Sequence, residues 1–117
     1  MIFEKNSSKM LLIAGPCSLE SRDLSFEVAD EVARIASKYA DWLVVVFKGS
    51  FDKANRTSIK SPRGPGMEKG LEILSEVREK FGLPVITDVH ESYQCAEVAK
   101  ACDALQIPAF LCRQTDL

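Results

Sequence analysis

Short apolar runs recur along the chain, and each ends at a polar or turn-forming residue. Four such runs lie at residues 10–14, 43–47, 84–87 and 104–107. They are apolar at nearly every position instead of alternating with polar residues, which is typical of strands in a parallel sheet covered by helices. The pattern therefore predicts four buried, parallel β-strands.

Helical patterns fill the three intervals between these runs, because their apolar residues recur at spacings of three and four. Asp23 is the predicted N-cap of the first helix, the second starts near Met67 and stops at Gly82, and the third runs from Glu91 to Cys102. The predicted inward-facing positions, helix by helix, are Leu24, Val28, Val32, Ile35 and Tyr39; Met67, Leu71, Leu74, Val77 and Phe81; and Cys95, Val98, Ala99 and Cys102.

The order of these elements, strand then helix three times and a fourth strand, predicts an α/β fold. Polar residues cluster just after each strand, at the edge of the sheet where ligand sites of parallel α/β folds lie. The periodicity fits both an open four-stranded sheet and part of a barrel. The first strand is not followed by G-x-G-x-x-G, which disfavours a nucleotide-binding doubly wound fold.

A long basic connection, FKGSFDKANRTSIKSPRGPG at residues 47–66, follows the second strand. Its cations are interleaved with hydroxyl and amide side chains; they are Lys48, Lys53, Arg56, Lys60 and Arg63. Such a segment at the end of a strand can bind anionic oxygens, although a solvated surface loop would have a similar composition. Its length favours the functional interpretation, since long loops in compact domains are commonly functional or disordered.

Composition limits the classes of function. The chain has 117 residues, 46% of them hydrophobic and 27% charged, with a formal net charge of −2, which suits one globular domain with a core. The near-neutral balance argues against general nucleic-acid binding. No run approaches the roughly 18 apolar residues of a membrane span, so we expect a cytoplasmic protein. The four cysteines form no C-x-x-C pair, and we expect Cys95 and Cys102, which share a helix face, to be buried free thiols in a reducing compartment.

Several strings together resemble the 3-deoxy-D-manno-octulosonate 8-phosphate synthase family, also called 2-dehydro-3-deoxyphosphooctonate aldolases. They are IAGPCSLES at 13–21, FKGSFDKANRTS at 47–58, RGPG at 63–66, ITDVHE at 86–91 and QIPAFLCRQTD at 106–116. The resemblance extends from about residue 11 to residue 117. AGPC also occurs in the related heptulosonate phosphate synthases, whereas the FKGSFDKANR string is specific.

The resemblance implies a (β/α)8 TIM barrel of the aldolase type, a fold that takes about 250 residues. Residues 1–117 would then be the N-terminal half of a single barrel domain, with roughly its first four strands and three helices. The implied reaction condenses phosphoenolpyruvate with D-arabinose 5-phosphate to 3-deoxy-D-manno-octulosonate 8-phosphate and phosphate, for lipopolysaccharide sugar biosynthesis. The family also implies a homo-oligomer, a tetramer among its members.

Matching positions carry over the family's substrate contacts. By resemblance, the residues around phosphoenolpyruvate are Lys48, Ser50, Lys53, Gln106, Pro108, Ala109 and Phe110. Those that would receive arabinose 5-phosphate are Asn55, Arg56 and Thr57, joined by Arg113 from a neighbouring subunit. Lys53, Asn55 and Asp88 are the implied catalytic residues. For Asp88, two roles compete: positioning substrate or metal-bound water, which we favour, and capping the following helix.

Cys17 marks the metal-dependent members of the family, so the resemblance implies a divalent metal: zinc, ferrous iron or manganese. The other ligands in that group are a histidine and two carboxylates from the second half of the barrel. His90 does not align with the ligating histidine and is interpreted as structural or close to the site.

Two alternatives stay open. The chain could derive from a heptulosonate phosphate synthase that uses erythrose 4-phosphate, or it could be an inactive phosphate-binding fragment. Because the remaining metal ligands lie outside the sequence, we expect the isolated 117-residue chain to be catalytically inactive.

Overall fold

Strands and helices alternate along the chain in the computed structural model, which describes residue 2, residue 4 and residues 7–117. The elements are β1 (Met10–Ser18), α1 (Arg22–Lys38), β2 (Leu43–Ser50), α2 (Met67–Phe81), β3 (Val85–Asp88), α3 (Gln94–Ala101) and β4 (Ala104–Gln106), followed by a 3-10 turn at Ala109–Leu111. All neighbouring strands pair in parallel, in the order β1-β2-β3-β4. The predicted α/β architecture is confirmed, and it is consistent with the N-terminal part of a TIM barrel.

β1 is longer than predicted. It pairs with β2 from Met10 to Ala14, shifts register, and pairs again at Cys17 and Ser18. Gly15 permits this bulge, because a Cβ at that position would lie 1.8 Å from the carbonyl oxygen of Lys48. The first strand was predicted from the run at residues 10–14, but the chain bends at Gly15 and continues alongside β2 to Ser18.

The hydrophobic core lies between one face of the sheet and the helices. Val45 and Phe47 of β2 pack there with Leu74 and Val77 of α2. Side chains alternate between the two faces of a strand, so Val46 and the residues at 48 and 50 face away from the helices. The sheet thus has one face covered by helices and an opposite face that carries polar residues.

The N-terminus of α1 differs from the prediction. Ser21 is the N-cap, and its Oγ accepts a hydrogen bond from the Leu24 amide at 3.2 Å. Asp23 lies in the first turn, where its charge complements the helix dipole. The buried positions of α1 are Ser25, Ala29 and Val32, while Leu24 and Tyr39 are exposed. The small side chains at positions 25 and 29, which carry little hydrophobic signal, are the ones that meet the core.

The other two helices match their predictions to different degrees. α2 has the predicted bounds, and Gly82 ends it in the left-handed conformation with φ 65°. α3 begins at Gln94 instead of Glu91, because the Gln94 side chain accepts hydrogen bonds from the backbone of the preceding turn. Gln94 and Ala101 are buried and Ala99 is exposed, so the prediction that Ala99 faces inward was wrong.

The thiols are free, as predicted. Cys102 is buried, and burial raises the pKa of its thiol to about 12, so the free thiol stays protonated at neutral pH. Cys95 is half-buried, whereas Cys17 and Cys112 are exposed. Among the described residues, no helix has both the length and the apolar character needed to cross a membrane.

Large apolar side chains are exposed along the two outer strands. Met10 and Ile13 of β1 are exposed, as are Leu105 of β4 and, just beyond it, Ile107 and Phe110. Within residues 7–117, β1 and β4 also each have one edge without a strand partner. Exposed apolar edges of this kind promote association between chains.

The 117-residue chain is therefore expected to self-associate in solution. Sedimentation velocity over a hundredfold range of concentration should show an average mass that increases with concentration. An Ile107→Lys variant, which places a charge beside β4, should shift this increase to higher concentration. A monomeric mass at every concentration, together with a thermal transition independent of concentration, would contradict the expectation.

Candidate active site

A lysine, a serine and an aspartate form a hydrogen-bonded cluster at the carboxyl ends of β2 and β3. Lys48 Nζ lies 2.5 Å from Asp88 Oδ1 and donates to Ser50 Oγ at 2.8 Å. The Ser50 hydroxyl donates to Asp88 Oδ2 at 2.8 Å. Ser50 is fully buried, and the side chains of Lys48 and Asp88 are 16% and 11% exposed. The cluster therefore joins two neighbouring strands through opposite charges that are largely shielded from water.

The position of the cluster follows from the strands. Lys48 and Ser50 are two residues apart on β2 and face the same side of the sheet. Asp88 is the last residue of β3. Its carboxylate faces β2, and the backbone amides of His90 and Glu91 donate to the Gln94 side chain. The alternative role for Asp88, capping the following helix, is therefore wrong, since Gln94 satisfies these amides.

A pocket of about 310 Å³ opens above this cluster. Seven of the residues singled out in the sequence line it: Lys53, Asn55, Asp88, Gln106, Pro108, Ala109 and Phe110. The loop after β2 forms one wall, and the segment after β4 forms the other. Lys48 and Ser50 do not line the pocket, but both contact Asp88, which does. The fold thus brings together residues from three separate segments of the chain.

Besides Lys48 and Ser50, four of the proposed site residues do not line this pocket. Arg56 lies on the adjacent loop, where its Nη1 donates to the Lys53 carbonyl at 3.0 Å. Thr57 is exposed on the same loop, and Arg113 is exposed after the 3-10 turn. Cys17 is exposed near the end of β1. Their predicted roles depend on contacts beyond this pocket.

Cys17 has an unusual backbone conformation. Its φ of 71° lies in the left-handed region, where residues other than glycine are uncommon. It pairs with Gly49 of β2, between Lys48 and Ser50, so the bulge in β1 places the thiol beside the strand that carries the cluster. Within the described residues, however, no group of three His, Cys, Asp or Glu side chains is arranged to hold a metal ion. These residues therefore provide a single candidate ligand and do not form a metal site.

Sequence reasoning interpreted His90 as structural or close to the site, and it missed one other feature. His90 lines the pocket, with its ring edge-on to Phe51 at 6.5 Å between centroids. Its Nδ1 is buried and has no hydrogen-bond partner among the described residues. The missed feature is an ion pair between Asp52 and Arg63 at the base of the basic loop, which only the folded loop reveals.

A sequence model of the DAHP synthetase I family matches residues 2–117. The chain belongs to this family. Its membership agrees with the parallel α/β fold and with the site at the carboxyl ends of the strands. The resemblance inferred from the sequence is thereby confirmed at the level of the family.

Relatives in this family carry the enzyme name implied by the motifs. The 2-dehydro-3-deoxyphosphooctonate aldolase of Fusobacterium nucleatum is 58% identical over 109 residues, which cover 93% of this chain and 38% of that protein. The proteins of the same name from Brucella ovis and Brucella canis are each 54% identical over 112 residues, covering 96% of this chain and 40% of theirs. The chain thus spans about two fifths of the length of these relatives.

The buried charge cluster should contribute strongly to stability. Asp88→Ala leaves Lys48 without its partner in a largely buried position, and we expect a loss of about 3 kcal/mol or the loss of cooperative unfolding. Glu97→Ala, which breaks the exposed Glu97–Lys100 pair, should cost at most about 0.5 kcal/mol. Urea unfolding at one low protein concentration measures both. Equal effects of the two variants would show that the cluster is not a stabilising element.

Proposed function

We propose that this chain forms the N-terminal part of an enzyme that condenses phosphoenolpyruvate with D-arabinose 5-phosphate. The observation that carries this proposal is the pocket above the Lys48–Ser50–Asp88 cluster, which gathers Lys53 and Asn55 of the specific loop motif. The names of the relatives support the same reaction. The product would be 3-deoxy-D-manno-octulosonate 8-phosphate, a precursor for lipopolysaccharide.

Both substrates are anionic, so the site must hold phosphate and carboxylate groups close together. Lys53 at the pocket wall supplies positive charge, whereas the charge of Lys48 is paired with Asp88. Ammonium groups held in place before substrate arrives cost little reorganisation during the reaction. Asn55 contributes an amide that can donate and accept hydrogen bonds. These groups would bring the enol carbon of one substrate within bonding distance of the aldehyde carbon of the other.

In the overall reaction, the enol carbon bonds to the aldehyde carbon, water adds to the carbon that carried the phosphate ester, and phosphate leaves. Asp88 is the proposed residue that orients this water or the sugar hydroxyls, since it lines the pocket. Lys48 and Ser50 contact the two oxygens of its carboxylate and fix the orientation of that group. They are therefore proposed to act on substrate chiefly through Asp88.

The apolar wall of the pocket has a separate role. Pro108, Ala109 and Phe110 follow β4 and face the loop across the pocket. Their side chains limit the access of bulk water, which strengthens the electrostatic contacts made by Lys53. Gln106, at the end of β4, adds a polar group beside them. This wall is proposed to enclose the enolpyruvate part of the first substrate.

We infer a single metal ligand in this chain, the Cys17 thiol. A thiolate suits zinc or ferrous iron, and manganese is the third candidate. The other ligands would come from the part of the relatives that this chain does not match. Such a metal would supply Lewis acidity near the reacting water. The steps assigned to Lys53, Asn55 and Asp88 above do not depend on it.

The assembled enzyme is proposed to be a cytoplasmic homo-oligomer, a tetramer as the resemblance implies. Arg113 and Arg56 are then the candidate contacts for the sugar phosphate, with Arg113 supplied by a neighbouring subunit. Arg113 is exposed after the 3-10 turn, as a residue that acts outside its own subunit must be. Thr57, beside Arg56, supplies a hydroxyl that can contact the same substrate.

A second candidate is heptulosonate phosphate synthesis from erythrose 4-phosphate, which the family's description as DAHP synthetases favours. The two reactions share phosphoenolpyruvate and differ in the aldehyde. The two reactions are distinguished by supplying the complete enzyme with each aldehyde at equal concentration and measuring the release of inorganic phosphate. We expect arabinose 5-phosphate to be preferred by at least about a hundredfold in kcat/KM, because a site built for one sugar's hydroxyls discriminates strongly against another.

A chimera provides the test of function. In this chimera, the 109 residues of the Fusobacterium nucleatum aldolase that match this chain are replaced by the corresponding residues of this chain. Phosphate release is then measured with both substrates. We expect turnover by the chimera and negligible turnover by the isolated 117-residue chain. In the chimera, Lys53→Met should lower kcat/KM by about a hundredfold, whereas Lys60→Met, an exposed residue of the same loop, should change it by less than about threefold.

Three results would contradict this proposal. A folded chimera without activity would show that this chain does not carry the expected half of the site. Equal effects of the two lysine variants would remove Lys53 from the site. Robust turnover by the isolated chain would show that the missing part of the relatives is not required.

A further inference from the structure

We propose that Asp52 and Arg63 form a clamp that closes the loop between them and holds Lys53 and Asn55 in their positions at the pocket. The inference rests on the proposed function, because it assigns positioning residues to that same site. Neither Asp52 nor Arg63 lines the pocket that contains Lys53. Their effect on substrate would therefore be indirect.

The two ends of the loop meet at backbone level. The Lys53 amide donates to the Arg63 carbonyl at 2.6 Å, and the Gly66 amide donates to the Phe51 carbonyl at 3.1 Å. Gly64 adopts a φ of 120°, and a Cβ there would lie 2.6 Å from the Phe51 oxygen. The segment that returns at Gly64 thus passes so close to Phe51 that only glycine fits there.

The side chains of Asp52 and Arg63 reinforce this closure with a bidentate contact. Arg63 Nε donates to Asp52 Oδ1 and Nη2 donates to Oδ2, each at 2.7 Å. This planar geometry is the strongest form of an arginine–carboxylate contact. The hydrogen bonds from Arg63 lower the pKa of the Asp52 carboxyl, so it stays ionised at neutral pH. The Asp52 side chain is 22% exposed and the Arg63 side chain is 57% exposed, so the clamp lies at the surface of the protein.

The clamp acts next to the residues that bind substrate. Asp52 directly precedes Lys53, and Ala54 and Asn55 continue along the pocket wall. The Lys53 carbonyl in turn accepts a hydrogen bond from Arg56 at 3.0 Å. Fixing the loop before substrate arrives reduces the ordering that binding must otherwise supply. Opening the clamp should therefore displace Lys53, Asn55 and Arg56 together.

Loss of the clamp should change the mobility of the loop and not the stability of the whole fold. Exposed ion pairs contribute little to global stability, so the clamp variants should keep nearly the thermal midpoint of the parent chain while their loop becomes more mobile. Arg34 provides a matched control. It forms a similar exposed fork with Glu31 on α1, with Nε to Oε2 at 2.8 Å, remote from the loop in sequence.

Proteolysis of the 117-residue chain with endoproteinase Lys-C measures loop opening. The exposed Lys60 lies between the two clamp residues and remains present in every variant. Asp52→Asn and Arg63→Gln should each increase the rate of cleavage after Lys60 by about three- to fivefold, because cleavage follows the population of the open loop. Arg34→Gln should cleave at the parent rate. Equal rates in parent, clamp variants and control would overturn the proposal.

Kinetics of the chimera test the effect on substrate. Asp52→Asn and Arg63→Gln should raise KM for arabinose 5-phosphate by about tenfold with a smaller change in kcat. Arg63→Lys, which keeps the charge and loses the fork, should be intermediate. Faster cleavage with an unchanged KM would overturn the positioning role. If the parent chimera has no activity, the proposed function fails, and the cleavage rates alone decide whether the clamp closes the loop.

Discussion

The contact between Lys48 and Asp88 is the interaction on which the rest of the site depends. It joins the ends of β2 and β3 at a point where both charges are largely withdrawn from water, and Ser50 occupies the second oxygen of the carboxylate. Removing one member would leave the other buried and unpaired, which is costly. The residue that carries this carboxylate also lines the pocket. Stability and the orientation of a candidate catalytic group are therefore properties of one cluster.

The two faces of the sheet explain why the cluster lies where it does. One face packs against the helices through residues such as Phe47, and the other carries Lys48 and Ser50 by simple alternation. Apolar edges at β1 and β4 remain exposed in the described chain. In relatives about two and a half times longer, additional chain is available to cover such surfaces. The pocket, by contrast, is formed within this chain alone, because β2, β3 and β4 are adjacent.

Much of this organisation could be predicted from the sequence, because the order and type of elements follow from hydrophobic periodicity. The end of β1 could not: the register shift at Gly15 depends on the approach of the Lys48 carbonyl, a contact between segments. The cap at Ser21 and the buried Ala29 were missed because a carboxylate nearby and larger apolar neighbours gave stronger local signals. Tertiary contacts therefore determine the end of β1 and the burial of Ala29, whereas the cap at Ser21 is a local contact in the first turn of α1.

The residues of the site also differ in whether the sequence could predict them. Motif residues such as Lys53 and Phe110 were assigned to one site by the family resemblance, and both line the same pocket. The pairing of Asp52 with Arg63 spans 11 residues of irregular chain and is visible only once the loop is closed. His90, expected to be structural or close to the site, lines the pocket, and its Nδ1 has no partner among the described residues.

The central claim, that this pocket receives phosphoenolpyruvate, is tested most directly by a crystal structure of the chimera with that ligand. We expect density for the ligand between the loop carrying Lys53 and the segment of Gln106 and Phe110, with an anionic group within hydrogen-bond distance of Lys53 Nζ. Clear density at another surface, with this pocket containing only solvent, would contradict the account.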